Sequence, residues 1–77
     1  MKIQYSRQAL KFLKKQDIST RRRIVSAIEM LPLGDVKKLK GLSFGYRLRV
    51  GEYRVIYDYD GNIISIERIG NRGDVYK

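Results

Sequence analysis

Residues 46–61 read YRLRVGEYRVIYDYDG, and the fold turns on how this stretch is read. Tyr46, Leu48 and Val50 alternate with Arg47 and Arg49, the period-two pattern of a half-buried strand. Gly51-Glu52 fits a two-residue turn with glycine first, and Tyr53 to Tyr59 forms the returning strand. Asp60-Gly61 closes that strand with a strong hairpin signal. Further along, Asn62 to Ile69 is a third, isoleucine-rich strand. Gly70 is expected to break it, leaving Asn71 to Lys77 as a short tail. Upstream, Asp35 to Gly45 reads as a basic connector that holds Lys37, Lys38 and Lys40.

The first third of the chain has a different period. Lys2 to Tyr5 reads as a short strand, with Ile3 and Tyr5 on one face. Ser6 is placed to cap a helix of about Arg7 to Gln16. At roughly 100° per residue, Arg7, Lys11, Lys14 and Lys15 line one side of that helix. Ala9, Phe12 and Leu13, flanked by Leu10, line the other. Asp17 or Ser19 starts a second helix that runs to about Leu31, with Ile24, Val25, Ile28 and Leu31 as its buried stripe. Pro32 and Gly34 stop it. Arg21, Arg22 and Arg23 fan across about 200° of that helix and cannot all face one ligand.

These elements sum to one small α+β domain over residues 1–77. Its expected build is an N-terminal strand, a two-helix hairpin on one face of an antiparallel sheet, and a C-terminal three-strand meander. A chain of 77 residues buries only about 60% of its unfolded surface, and 43% hydrophobic residues suffice for a packed core. The sequence has neither cysteine nor histidine, so disulfides, cysteine nucleophiles, zinc chemistry and a serine–histidine triad are excluded, and no metal site or cofactor is expected. Glu52, Asp58, Asp60, Glu67 and Asp74 are too dispersed along the chain to suggest a metal-binding carboxylate site. No apolar run approaches a membrane span and the N-terminus carries no signal-peptide pattern, so no membrane partner and a cytoplasmic setting are expected.

Charge points to a partner. The net charge is +9, and residues 1–57 hold fourteen of the seventeen basic side chains against four acidic ones. Such an excess on so short a chain is the footprint of a polyanion, or of an acidic protein that covers the same surface. Arg47 and Arg49 share a sheet face by parity, and Arg54 follows the turn that brings its strand back beside them. If the last strand pairs with the central one, Arg72 and Tyr76 return towards the same end. From the residues alone, such an arginine-lined face suits anion binding or catalysis, and both readings stand. Tyr5, Tyr46, Tyr53, Tyr57 and Tyr59 read as core or sheet-face aromatics rather than base-stacking platforms.

Tyr46-Arg-Leu-Arg-Val-Gly-Glu-Tyr-Arg-Val-Ile-Tyr57 followed by Ile69-Gly-Asn-Arg-Gly-Asp-Val-Tyr76 resembles the RelE/ParE superfamily of bacterial toxins. The N-terminal strand, the basic helical hairpin and Lys38-Leu39-Lys40-Gly41-Leu42 match its layout, so the resemblance spans essentially the whole chain. It implies a type II toxin–antitoxin toxin of the RelE-like branch, a metal-independent endoribonuclease that cleaves mRNA on the ribosome and inhibits translation. Arg54, Arg72 and Tyr76 match the positions of that branch's catalytic arginines and tyrosine, and Arg47 and Arg49 stand where it carries lysines or arginines. Many relatives have histidine just before the Arg72 position; Asn71 stands there, which rules out a histidine acid or base. The implied partners are a cognate antitoxin, mRNA, the ribosome and its rRNA, with operator DNA reached only through the antitoxin. Arg7, Lys11, Lys14, Lys15, Lys37, Lys38 and Lys40 are the expected RNA- and ribosome-docking residues. The alternatives are a ParE-like inhibitor of DNA gyrase and a non-catalytic RNA- or ribosome-binding module.

Overall fold

A computed structural model describes residues 2–39 and 45–71. Along the chain come β1 (Lys2–Tyr5), α1 (Arg7–Lys14), α2 (Ile18–Glu29), β2 (Asp35–Lys38), β3 (Tyr46–Val50), β4 (Tyr53–Tyr59) and β5 (Ile63–Asn71). The strands form one sheet in the order β1-β5-β4-β3-β2. The helices pack on one of its faces, α1 over β5 and α2 over β3. No helix among the described residues is long and apolar enough to cross a membrane.

The α+β layout is as expected, and three details of the sheet differ. The sheet is mixed, because β1 runs parallel to β5. The expected connector begins as a strand: Asp35–Lys38 pairs antiparallel with β3, which makes the meander four-stranded. Val36 is the lone apolar residue among these four, so period-two alternation had nothing to register. Lysine on a short edge strand instead discourages pairing with other chains. Gly70 does not end β5 but lies buried in it, opposite Arg54, where it presents no side chain beside the guanidinium.

Both helices are shorter than their periodicity suggested, because each closes on a single cap residue. Lys15 and Met30 are the C-caps, and each cap's N–H bonds to the last turn before it. Leu10 is 55% exposed and takes no part in the core. Ala9 and Leu13 of α1 and Ile24 and Ile28 of α2 are buried against Leu48, Val55, Tyr57, Ile64, Ile66 and Ile69 of the sheet. Each wholly buried isoleucine contributes about 1.5–3 kcal/mol by leaving water. The tyrosines serve this packing as expected: Tyr57 is buried, and Tyr5, Tyr46, Tyr53 and Tyr59 pack against the same cluster.

Side chains at the start of α1 continue the sheet where β1 stops. β1 pairs with β5 as far as Tyr5↔Ile66. Ser6 then caps α1 by accepting from the Ala9 N–H, while its hydroxyl donates to the Glu67 carbonyl at 2.7 Å. Gln8 reaches over and exchanges two 3.0 Å bonds with the Ile69 backbone, one to its carbonyl and one from its N–H. The amide thus stands in for a strand residue and satisfies peptide groups that are costly to bury unpaired.

Candidate nucleic-acid interface

The face of the sheet away from the helices is built from the partners of the core residues. On β3, Leu48 and Val50 point to the helices, so Arg47 and Arg49 point away. Register carries this across the sheet. Arg49 lies opposite Arg54, and Arg47 lies opposite Ile56, which in turn lies opposite Arg68. Four arginines on three adjacent strands therefore surround Ile56. That isoleucine is 2% exposed yet stands outside the core cluster. With strands about 4.8 Å apart, the patch spans roughly 10 Å, the scale of a few nucleotides.

Arg68 is the member that parity misses. Ile64 and Ile66 face the core, so strict alternation would send position 68 inward too. A bulge in the β4–β5 pairing leaves Glu67 without an opposite residue. The phase shifts by one: Ile69 takes the core position and Arg68 turns to the open face. A β-bulge has no reliable sequence signature, and nothing in SIERIG announced this one.

The four guanidiniums have different environments. Arg54 is buried, and its Nη1 donates to the carbonyls of Gly51 and Tyr53, both at 3.1 Å. Both bonds leave from one nitrogen, so the rest of the fork is not committed to the turn. The turn itself is as the sequence predicted: Gly51 leads it with φ 58°, while Glu52 keeps a negative φ, the pattern of a type II′ hairpin. Arg49 is exposed and makes no ion pair among the described residues. Arg47 has its side chain largely covered and reaches Asp35 at 3.7 Å. Asp35 is well exposed, so this pair adds at most about 1 kcal/mol and leaves most of the positive potential in place. Asp58 sits four residues from Arg54 on the same strand, about 13 Å along it. The cationic patch therefore lies towards the β3–β4 turn, with Asp58 beyond it on the same face.

Arg72 and Tyr76 lie outside the described residues, as does Lys40. The described chain reaches Asn71 opposite Tyr53, at the end of the sheet that carries Arg54 and the turn. Tyr57 and Tyr5 are no substitutes as a general base. Burial and the neighbouring Tyr46, stacked at 5.3 Å, push the Tyr57 phenol up to about 12. Burial also raises that of Tyr5, with Glu29 adding to the shift.

The expected docking residues do not share one surface. Arg7, Lys11, Lys14 and Lys15 are all exposed on α1, on the helix side of the sheet. Lys37 and Lys38 lie on β2, three strands from the β5 on which α1 rests. They also face opposite ways: Lys37 joins Arg47 on the open face, and Lys38 lies beside Tyr46. The consecutive arginines of α2 separate as expected. Arg21 turns back on α1, Arg22 is exposed, and Arg23 reaches Gly51.

Residues 3–76 match the family described as the ParE toxin of the type II toxin–antitoxin system. The chain belongs to that toxin family. Among its relatives, this toxin is 32% identical to the RelE3 toxin of Methanocaldococcus jannaschii, over 99% of this chain and 96% of the relative. The RelB–RelE antitoxin–toxin complex from Methanococcus jannaschii superposes with a TM-score of 0.73 at 32% identity, covering 95% of this chain and 94% of the other. The RelE–RelB complex from Pyrococcus horikoshii gives 0.74 at 28% identity, covering 96% and 97%. The isolated Escherichia coli RelE toxin, at 19% identity, shares the fold with a TM-score of 0.66.

Proposed function

We propose that this toxin is a ribosome-dependent endoribonuclease that cuts mRNA and so inhibits translation. The observation that carries the reading is the buried Arg54, tied to its turn by one nitrogen and paired across the hairpin with the exposed Arg49. A pre-oriented guanidinium beside a second cation suits a phosphate that gains charge in the transition state. In the proposed reaction, the ribose 2′-oxygen attacks the adjacent phosphorus as its proton leaves. The 5′-oxygen departs and takes up a proton, giving a 2′,3′-cyclic phosphate and a free 5′-hydroxyl. The nucleophile already belongs to the substrate, so this path requires no metal. The protein's task is in-line alignment and charge stabilisation.

Arg54 and Arg72 are assigned to the phosphate oxygens, and Arg47 and Arg49 to orienting the substrate. Tyr76 serves as general base or as a stacking partner for a base. A free phenol with a pKa of about 10 is only about one part in a thousand ionised at neutral pH, and neighbouring guanidiniums favour the phenolate. With no histidine to assist, naked RNA is expected to be cut poorly, and the ribosome supplies the alignment.

The relatives solved as RelB–RelE complexes support a cognate antitoxin as partner here too, laying an acidic or amphipathic segment over the basic surface. Operator DNA is then met only through that antitoxin, and the setting is cytoplasmic. The ParE family name favours a second reading, inhibition of DNA gyrase, in which the arginine face only binds.

The deciding experiment adds purified toxin to programmed ribosomes and maps the 5′ ends of the message, with naked message alongside. Cuts that need ribosomes are the expected result. Intact message overturns the RNase reading, and a gyrase supercoiling assay then tests the other. The exposed α1 stripe is assigned to rRNA docking. Reversing Arg7, Lys11, Lys14 and Lys15 together is expected to abolish co-pelleting with ribosomes at moderate salt and flatten its salt dependence. Unchanged pelleting would sink that assignment.

A further inference from the structure

The guanidinium of Arg23 fills the space that any side chain at position 51 would need: a Cβ built on Gly51 collides with Arg23 Nη2. Gly51 is also the residue whose carbonyl accepts from Arg54 Nη1. Two arginines therefore meet the β3–β4 turn: Arg54 hydrogen-bonds to it from the open face of the sheet, and the exposed Arg23 lies against it from α2. Arg23 makes no ion pair among the described residues, so its contact with the turn is its distinguishing one. The Gly51 carbonyl belongs to the central peptide of the turn, whose rotation interconverts the two hairpin turn types. Fixing that peptide fixes the acceptor that aims Arg54.

We propose that Arg23 is a positioning residue: by packing on Gly51 it locks the turn peptide whose carbonyl orients the Arg54 guanidinium for the phosphate. The proposal rests on the RNase reading of Arg54, but its structural half does not. It makes α2, whose inner face serves the core, part of the support of the site.

The test compares the intact toxin with Arg23→Ala, Gly51→Asn and the double variant, with Arg23→Gln in reserve if the alanine variant does not fold. Asparagine at position 51 evicts Arg23 and also strains a turn whose φ of 58° favours glycine, so its effect is read against the double variant. On programmed ribosomes, Arg23→Ala is expected to lower kcat about tenfold with KM kept within about twofold, as for a small misplacement of a catalytic group. Gly51→Asn should lose at least as much. The double variant should be no worse than Gly51→Asn alone, because the contact that Arg23→Ala removes is already gone. NMR of the arginine side chains reads the structural half: Arg54 nitrogens restrained in the intact toxin are expected to average in all three variants. Additive losses would overturn the proposal. So would a raised KM with kcat kept and a salt slope smaller by about one, which would make Arg23 a direct RNA contact. If the intact toxin leaves message whole, the RNase reading falls by itself. The NMR comparison then decides the coupling: identical Arg54 signals with and without Arg23 overturn it, and released signals uphold it.

Discussion

Arg54→Lys is expected to slow cleavage of ribosome-bound message by about 10²–10³-fold while ribosome binding and melting temperature stay close to those of the intact toxin. Lysine keeps the charge but loses the planar fork. Nη1 of Arg54 holds the Gly51 and Tyr53 carbonyls, which leaves the remaining donors of the fork for a substrate. A single ammonium has to choose between the turn and the phosphate. Alanine would be a poorer probe. It would strip two carbonyls of their donor beside a buried strand position and cost about 1–3 kcal/mol of stability, mixing unfolding with lost chemistry. Single-turnover cleavage, ribosome pelleting and thermal melting together check the prediction. Cleavage by Arg54→Lys within threefold of the intact toxin would remove Arg54 from the reacting phosphate.

Arg21→Ala is expected to be the most destabilising alanine substitution among the consecutive arginines of α2. Arg21 Nε donates to the Leu13 carbonyl at 3.0 Å, and Nη2 donates to Gln16 at 3.0 Å and Lys14 at 3.4 Å. These carbonyls lie at and just beyond the end of α1, that of Leu13 also accepting from the Gln16 N–H, and the guanidinium opposes the negative end of the helix dipole. Losing a charged donor to several such groups should cost about 2 kcal/mol, a fall of roughly 8–15 °C in melting temperature for a domain of this size. Arg22→Ala, at an exposed neighbour, should stay within about 0.5 kcal/mol. Equal melting temperatures for the two variants would show that the α1 carbonyls are satisfied as well by water.

The contrast among Arg21, Arg22 and Arg23 also shows how far the sequence could be read. Helical geometry alone said that they diverge, but not that one closes the preceding helix and another covers a glycine in a hairpin. Such roles depend on where distant elements come to rest. The β3–β4 hairpin was legible because its alternation and its glycine-first turn are local properties. β2 was not, because an edge strand with one apolar residue in four is written in lysine, the residue that also writes loops. In the candidate site, Arg47, Arg49 and Arg54 followed from parity and the turn, and the structure places them on one face. Arg68 did not follow, because a single unpaired residue at the bulge reversed the phase after Ile66. Lys37 and Lys38 are neighbours in sequence, but pairing in a strand sends them to opposite faces.

The parallel pairing of β1 with β5 sets an order of events. Ile3 lies against Ile64, and the bonds of Ser6 and Gln8 to β5 span 61 residues. During synthesis the helices and four strands emerge before the strand on which α1 rests exists. Contacts of such long sequence separation also form slowly for a domain this small. The unfinished chain has both basic helices but no completed sheet to hold them. The arginine face that the proposed activity needs is complete only when β5 arrives between β1 and β4, which leaves a partner time to meet the chain first.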